Sequence, residues 1–409
     1  MATPAGTDRY RERFADGLAA NHFVTLDGVT ISSVGIGTYL GDPTDEDDER
    51  YRDALITALE CGINVVDTAI NYRCQRSERV VARALDAAAV DRDEVFVATK
   101  GGYVPFDTDP PANVERHVEE EYVRPGLIDP DDLGKGLHCM TPEFIDDQVG
   151  RSLSNLGVET IDCYYVHNPE AQLPVRPREA VYDQLEATFA RLEERVAAGE
   201  LERYGLATWT AFRVESDDPS FLSLYEVLDR ARAAADAVGA DEHHFRAIQL
   251  PFNPMMAEAF TVRSHEARGD VAIPNVLSVA READVGVFTS ATLGQGEVLE
   301  RGIPEDVEVW FEGDTVAQQA INFARSAPAV TCALVGSRRP AHVLENADAG
   351  TFDRMGDEAF DVVFEGPSED DEQEVDRMET GAMGAGGPAG GDAPDPDGPG
   401  TDAEGGPSS

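Results

Sequence analysis

Short runs rich in β-branched residues alternate along the chain with stretches whose apolar positions recur at helical spacing. The strand-like runs are residues 34–37, 63–66, 95–98, 161–166, 204–207, 247–250, 285–288 and 333–335. Amphipathic stretches separate most of them, at residues 49–60, 77–88, 141–156, 182–198, 221–238 and 314–325. Such repeated β-then-α units predict an α/β fold, a closed (β/α)8 TIM barrel. An open doubly wound sheet is the alternative. The turn after the first of these strands, Gly37-Thr38-Tyr39-Leu40-Gly41, argues against it, because it is not the G-x-G-x-x-G phosphate loop such sheets carry. Ahead of that strand, Asp27-Gly28 sits between alternating residues from Phe23 to Ile31, which predicts an N-terminal β-hairpin able to plug the barrel floor. An insertion from about residue 101 to 140, rich in Pro, Gly and charge, falls after a barrel strand and so on the C-terminal rim, where barrel active sites form.

From residue 366 the pattern stops. SEDDEQEVD and then GAMGAGGPAGGDAPDPDGPG offer almost no large apolar side chain, so residues 22–365 are read as the barrel and 366–409 as a disordered acidic tail. The whole chain is acidic: 79 Asp and Glu against 33 Lys and Arg, a net charge of -46. That excludes binding to a nucleic-acid backbone and to anionic membranes. The carboxylates are scattered as on a solvated surface, and lysine stands only at Lys100 and Lys135. This composition suits a salt-rich cytosol, where screening (a Debye length of about 3 Å at 1 M) removes self-repulsion. No long apolar run and no secretory leader pattern is present, so a cytoplasmic location is expected. Five dispersed cysteines suggest neither disulfides nor a metal site. His138 and the His243-His244 pair lack ligand spacing and read as loop or surface residues.

Candidate chemistry gathers at strand ends. Asp67, Lys100 and His167 follow three successive apolar strands at equivalent positions, and Tyr72 lies five residues beyond Asp67. On a barrel they converge. Lysine in a chain that otherwise uses arginine points to a site needing a compact ammonium. A tyrosine hydroxyl, with an ordinary pKa near 10, donates poorly at neutral pH unless a neighbouring cation favours its ionised form. Lys100 is expected to supply that cation, Asp67 to hold it charged, and His167 to hydrogen-bond a substrate oxygen. The set suits protonation of an oxygen as negative charge builds on it, as carbonyl reduction by hydride requires. A Schiff-base aldolase using Lys100 is a competing chemistry.

After the seventh strand comes Leu293-Gly294-Gln295-Gly296 and after the eighth Gly336-Ser337-Arg338-Arg339-Pro340, the places where barrels bind phosphate, with Pro340 fit for a first helical turn. Together with Gly35-Ile36-Gly37-Thr38, Asp67-Thr68-Ala69-Ile70-Asn71-Tyr72, Ala98-Thr99-Lys100, Tyr165-Val166-His167, Gly205-Leu206-Ala207-Thr208-Trp209, Gln249 and Glu345-Asn346, the chain resembles the aldo-keto reductase superfamily over roughly residues 25–350, as an acidic member of haloarchaeal type. The resemblance implies a small carbonyl substrate, the tetrad Asp67, Tyr72, Lys100 and His167, and a nicotinamide cofactor, NADP(H) with NAD(H) as the alternative. Its implied cofactor contacts are Gly37, Thr38, Thr208, Gln249, Leu293, Gly294, Gly336, Ser337, Arg338, His342, Glu345 and Asn346. Of these, Thr208 and Gln249 would hold the nicotinamide amide, and Glu345 and Asn346 would face adenine. Tyr39 and Trp209 are the candidate substrate residues. The family's Ser-Asn pair is Ala207-Thr208 here, its stacking aromatic is Ser290, and basic positions are Gly336 and His342. Arg338 and Arg339 are the residues left to meet a 2′-phosphate. The resemblance also admits a non-catalytic, nicotinamide-binding regulatory subunit.

Overall fold

The computed structural model describes residues 1–266 and 274–365; the tail expected at 366–409 lies outside the described residues. A two-stranded antiparallel hairpin, β1 (Phe23–Leu26) and β2 (Val29–Ser32), precedes eight parallel strands: β3 (Val34–Gly37), β4 (Val65–Asp67), β5 (Phe96–Gly101), β6 (Cys163–His167), β7 (Tyr204–Ala207), β8 (Phe245–Pro251), β9 (Gly286–Ser290) and β10 (Val330–Gly336). Each pairs with the next, and β10 closes on β3, so the barrel and not the open sheet is formed. Helices Asp45–Leu59, Arg76–Ala87, Pro142–Leu156, Arg178–Ala197, Leu224–Val238 and Val316–Ser326 match the amphipathic stretches within a few residues.

Strand alternation places the chemistry. Side chains in a strand point to opposite faces with period two. In β5, Phe96 and Ala98 belong to the cluster filling the barrel, while Val97 packs outward against the helices. Lys100 continues the inward series. The same holds for Val65 then Asp67 in β4, Cys163 and Tyr165 then His167 in β6, and Ala247 then Gln249 in β8. Asp67, Lys100, His167 and Gln249 are therefore one polar layer above the apolar filling, inside the strands and not just beyond them. Strand packing is tight enough that a Cβ on Gly205 would lie 1.8 Å from the Ala247 carbonyl oxygen.

The floor is closed as the Asp-Gly signal predicts. Leu26, Val29 and Ile31 of the hairpin join the cluster inside the barrel. A helix at Pro4–Phe14 packs beside the hairpin; it was not legible as an amphipathic run, because Tyr10 is its one buried large apolar residue. Its signal was local, a Thr3 cap accepting from Gly6 N with Pro4 in the first turn.

The insertion is an ordered subunit of the rim. It holds a helix at Val114–Val118, a wider turn at Glu119–Val123 and an apolar cluster of Val104, Val118, Tyr122, Ile128 and Cys139 that packs on Phe144 of the following helix. Two backbone bonds, Val104 N to Leu137 O and Cys139 N to Gly102 O, both 2.8 Å, close its base. Among the described residues no helix is long and apolar enough to cross a membrane, and no His, Cys, Asp and Glu group is arranged to hold a metal.

Candidate active site

Lys100 is 1% exposed, and its ammonium donates to Asp67 Oδ2 at 2.6 Å and to the Thr68 carbonyl at 2.8 Å. The second Asp67 oxygen accepts from Gln249 Nε2 at 2.8 Å, so both oxygens are engaged. Above this pair stands Tyr72, its ring centroid 5.0 Å from Lys100 Nζ and 6.0 Å from the His167 ring. Its loop is held stiffly. Arg73, Cys74 and Gln75 all adopt left-handed backbone (φ 48°, 57° and 65°), a costly run for residues with side chains. The buried Arg73 guanidinium over-determines it by pairing with Asp48 and donating to the Asp42 carbonyl at 2.9 Å.

The electrostatics correct one expectation. Burial pushes the Tyr72 hydroxyl well above its ordinary pKa, and the Asp67 carboxylate adds to the rise. The Lys100 ammonium, 5.0 Å from the ring centroid, does not offset this rise. Burial also lowers the Lys100 pKa, opposed by Asp67. Two acceptors at hydrogen-bond distance hold it as the ammonium. Burial, and then the Lys100 charge and His138, push His167 well below the usual histidine pKa, so its imidazole is neutral. Its Nδ1 is buried without a partner.

His138 is a second correction. It is fully buried at the base of the insertion, neither a surface nor an ordinary loop residue. Gln172 Nε2 donates to His138 Nδ1 at 3.0 Å, which puts the proton on Nε2 and lets that nitrogen donate to the His167 carbonyl at 2.7 Å. Tyr103, also from the insertion, meets the His167 ring edge-on at 5.3 Å, and its hydroxyl accepts from Asn168 Nδ2 at 3.2 Å. The insertion thus clamps the His167-Asn168 turn. Of the other histidine pair, His244 meets Glu193 at 2.6 Å, away from the cavity lining.

A cavity of about 920 Å³ opens over this layer. It is lined by Asp67, Tyr72 and His167 of the tetrad, by the substrate candidates Tyr39 and Trp209, and by Gly37, Thr38, Thr208, Gln249, Leu293, Gly336, His342, Glu345 and Asn346. Lys100 lies beneath it. Three expected cofactor contacts do not line it. Gly294 is passed over between Leu293 and Gln295, which do line it; Ser337 Oγ accepts from Arg339 N at 3.3 Å; and Arg338 is paired with Asp47 Oδ2 at 2.7 Å. Sequence reasoning missed Asn71, Asn168, Leu299 and residues 315–317 of the lining. For Asn71 and Asn168 the available signal was adjacency to Tyr72 and His167. Thr315 had one as well, since its side chain caps the helix Val316–Ser326.

The profile of the aldo/keto reductase family matches residues 33–306, which include the tetrad and most of the barrel. This chain belongs to the aldo/keto reductase family. It is 29% identical over 213 residues to the NADH-specific methylglyoxal reductase of Escherichia coli (strain K12), a match covering 50% of this chain and 58% of that protein. A protein of Schizosaccharomyces pombe named as a voltage-gated potassium channel subunit beta is 21% identical over 339 residues, covering 81% of this chain and 88% of its own. An aldo-keto reductase from Bacillus halodurans in a holo form superposes with a TM-score of 0.56 at 18% identity, over 84% of this chain and 95% of that one. One from Klebsiella pneumoniae, in complex with NADP and acetate, gives 0.52 at 17%, over 87% and 95%. Both structural likenesses are ones of fold.

Proposed function

We propose that this family member is an NAD(P)(H)-dependent oxidoreductase that reduces an aldehyde or ketone to an alcohol, or runs the reverse, with Tyr72 as general acid and base. One observation carries the reading: a protonated Tyr72 and a neutral His167 share a cavity directly above a buried Lys100–Asp67 pair. The cavity fits a dinucleotide in size, at the upper end of the roughly 300–1,000 Å³ of small-molecule sites. It fits in chemistry too. Thr208 Oγ1 is buried with no partner, and Gly37 and Gly336 pair across β3 and β10, giving a wall of bare backbone open to close approach.

A reduced nicotinamide bound there supplies the hydride. The chain's residues handle the oxygen. His167 offers it a hydrogen bond, and Tyr72 gives it a proton as charge builds. The phenolate left on Tyr72 then lies over the Lys100 ammonium, whose charge favours it against the penalty of burial. The partner is a small carbonyl compound, and the acidic surface supports exclusion of nucleic acid and anionic membrane. That surface and the near absence of lysine support a salt-rich cytoplasm as the working compartment.

A relative named as a channel subunit favours one further reading, a nicotinamide-binding regulatory subunit. The aldolase is disfavoured, because Lys100 is doubly hydrogen-bonded below the cavity and is held as ammonium, with no lone pair to attack a carbonyl. The deciding experiment is oxidation of NADPH and NADH against small aldehydes, ketones and sugars at high salt. The reading expects turnover by the native chain. Binding with no turnover of any of these substrates would instead support the regulatory subunit.

A further inference from the structure

Resting on that reading, we propose that the adenosine part of the cavity selects NAD(H) over NADP(H): Asp47 holds the nearby Arg338 guanidinium out of the site, and Glu345 puts a carboxylate beside the adenosine instead. Hydride must be delivered between Tyr72 and His167, so the adenosine half belongs at the other end, among Thr315, His342, Glu345 and Asn346. The two cofactors differ by one phosphate on the adenosine ribose. A site for that phosphate needs fixed cations, ideally an arginine fork. A site for the free ribose hydroxyls needs an acceptor, typically a carboxylate.

The residues present match the second description. Among the described residues lining the cavity there is no lysine or arginine, while Glu345 lines it and pairs with no cation among the described residues. Arg338 follows β10 and is the obvious phosphate ligand in the sequence, but it is committed elsewhere. Its Nη1 lies 2.7 Å from Asp47 Oδ2. Asp47 is itself fixed: its side chain is 5% exposed, it accepts from Asp42 N at 2.7 Å, and Arg50 stands 3.2 Å from its other oxygen. Those donors hold its carboxyl below the usual range, outweighing its burial, so it stays charged. Gly41 closes the other side, where even a Cβ would come within 3.1 Å of Arg338 Nη1. Arg339 is exposed at the cap of the helix Pro340–Asp348, outside the lining. The chain's net charge of -46 opposes the extra phosphate further.

The test is equilibrium binding of NADH and NADPH to the full chain, followed by quenching of tryptophan fluorescence at one fixed salt concentration, with AMP and adenosine 2′-phosphate as competitors. The expected result is NADH tighter by about tenfold or more, equivalent to about 1.4 kcal/mol, with AMP the better competitor. Asp47→Asn, which frees Arg338, and Glu345→Gln should each tighten NADPH severalfold, and Asp47→Asn should leave NADH unchanged. A thermal melt confirms that each variant is folded, and the native ratio stands without them. NADPH binding as tight as NADH overturns the proposal while leaving the reductase reading intact. Binding of neither nucleotide overturns both.

Discussion

The two ends of the barrel are built from the same alternating strands, yet one consumes its polar groups and the other holds them in reserve. At the floor, Asn64 spends its whole side-chain amide: Oδ1 accepts from Ser32 N at 2.8 Å, and Nδ2 donates to the carbonyls of Thr30 and Glu94 at 3.0 and 3.1 Å. The hairpin is pinned there and the end is sealed. At the rim, Thr208 Oγ1, Asn71 Oδ1 and His167 Nδ1 are buried with no partner. An unmade hydrogen bond costs about 1–3 kcal/mol per buried group, so polar groups kept unpaired are stability given up for binding. Where the rim does saturate a group, at Asp67, the saturation fixes the charge that the chemistry uses.

The largest break in this contrast should come from Lys100→Met. It strands the Asp67 carboxylate in the barrel, and removing one partner of a buried ion pair costs about 3–5 kcal/mol, readable by denaturant unfolding. Lys100→Arg should fail to restore activity despite the chain's general use of arginine, because a planar fork cannot replace the ammonium between Asp67 and the Thr68 carbonyl.

Acid should weaken both ends together. His22 at the floor and His138 at the rim are each buried and pulled down to about 4, mainly by burial. His22 Nε2 lies 3.1 Å from the Gly62 carbonyl, and His138 makes the same kind of contact with His167. The unfolded chain takes up these protons near pH 6.5 while the folded chain refuses them until about pH 4. Stability is therefore full above pH 6.5 and falls as the pH drops through that window, by about 3 kcal/mol per histidine at most. Unfolding curves at pH 7 and pH 5 check this; His138→Gln should flatten part of the slope and also lower kcat, whereas His22→Gln should flatten it alone.

Smaller effects separate the ends. Asn64→Ala should cost about 1–3 kcal/mol of stability with nucleotide affinity unchanged. Thr208→Val should do the reverse, weakening nucleotide binding by about 1 kcal/mol, roughly fivefold, while thermal stability holds or rises. Equal responses in both assays for both variants would erase the distinction between a sealed floor and a reserved rim.

This contrast also explains what could be read from the sequence. The repeated β-then-α units, the Asp-Gly turn and the equivalent strand-end positions gave the barrel, its plug and the convergence of Asp67, Lys100 and His167, because these are local patterns; their place inside the strands is set by the register of the closed barrel. Asn71 and Asn168 sit in turns, whose lining role is set by where the barrel closes and not by spacing. The pairing of Arg338 was illegible for a comparable reason: its partner Asp47 is 291 positions away in the chain. His138 and the acidity of Tyr72 both turn on burial, which no spacing of residues reports.

The central claim is that Tyr72 acts on a substrate oxygen beside a bound nicotinamide. Its most direct test measures NADH and NADPH binding and then carbonyl-dependent cofactor oxidation in the native chain and in Tyr72→Phe. The account predicts unchanged binding and a turnover lower by about 10²–10⁴-fold in the variant. Equal turnover by the two proteins would contradict it.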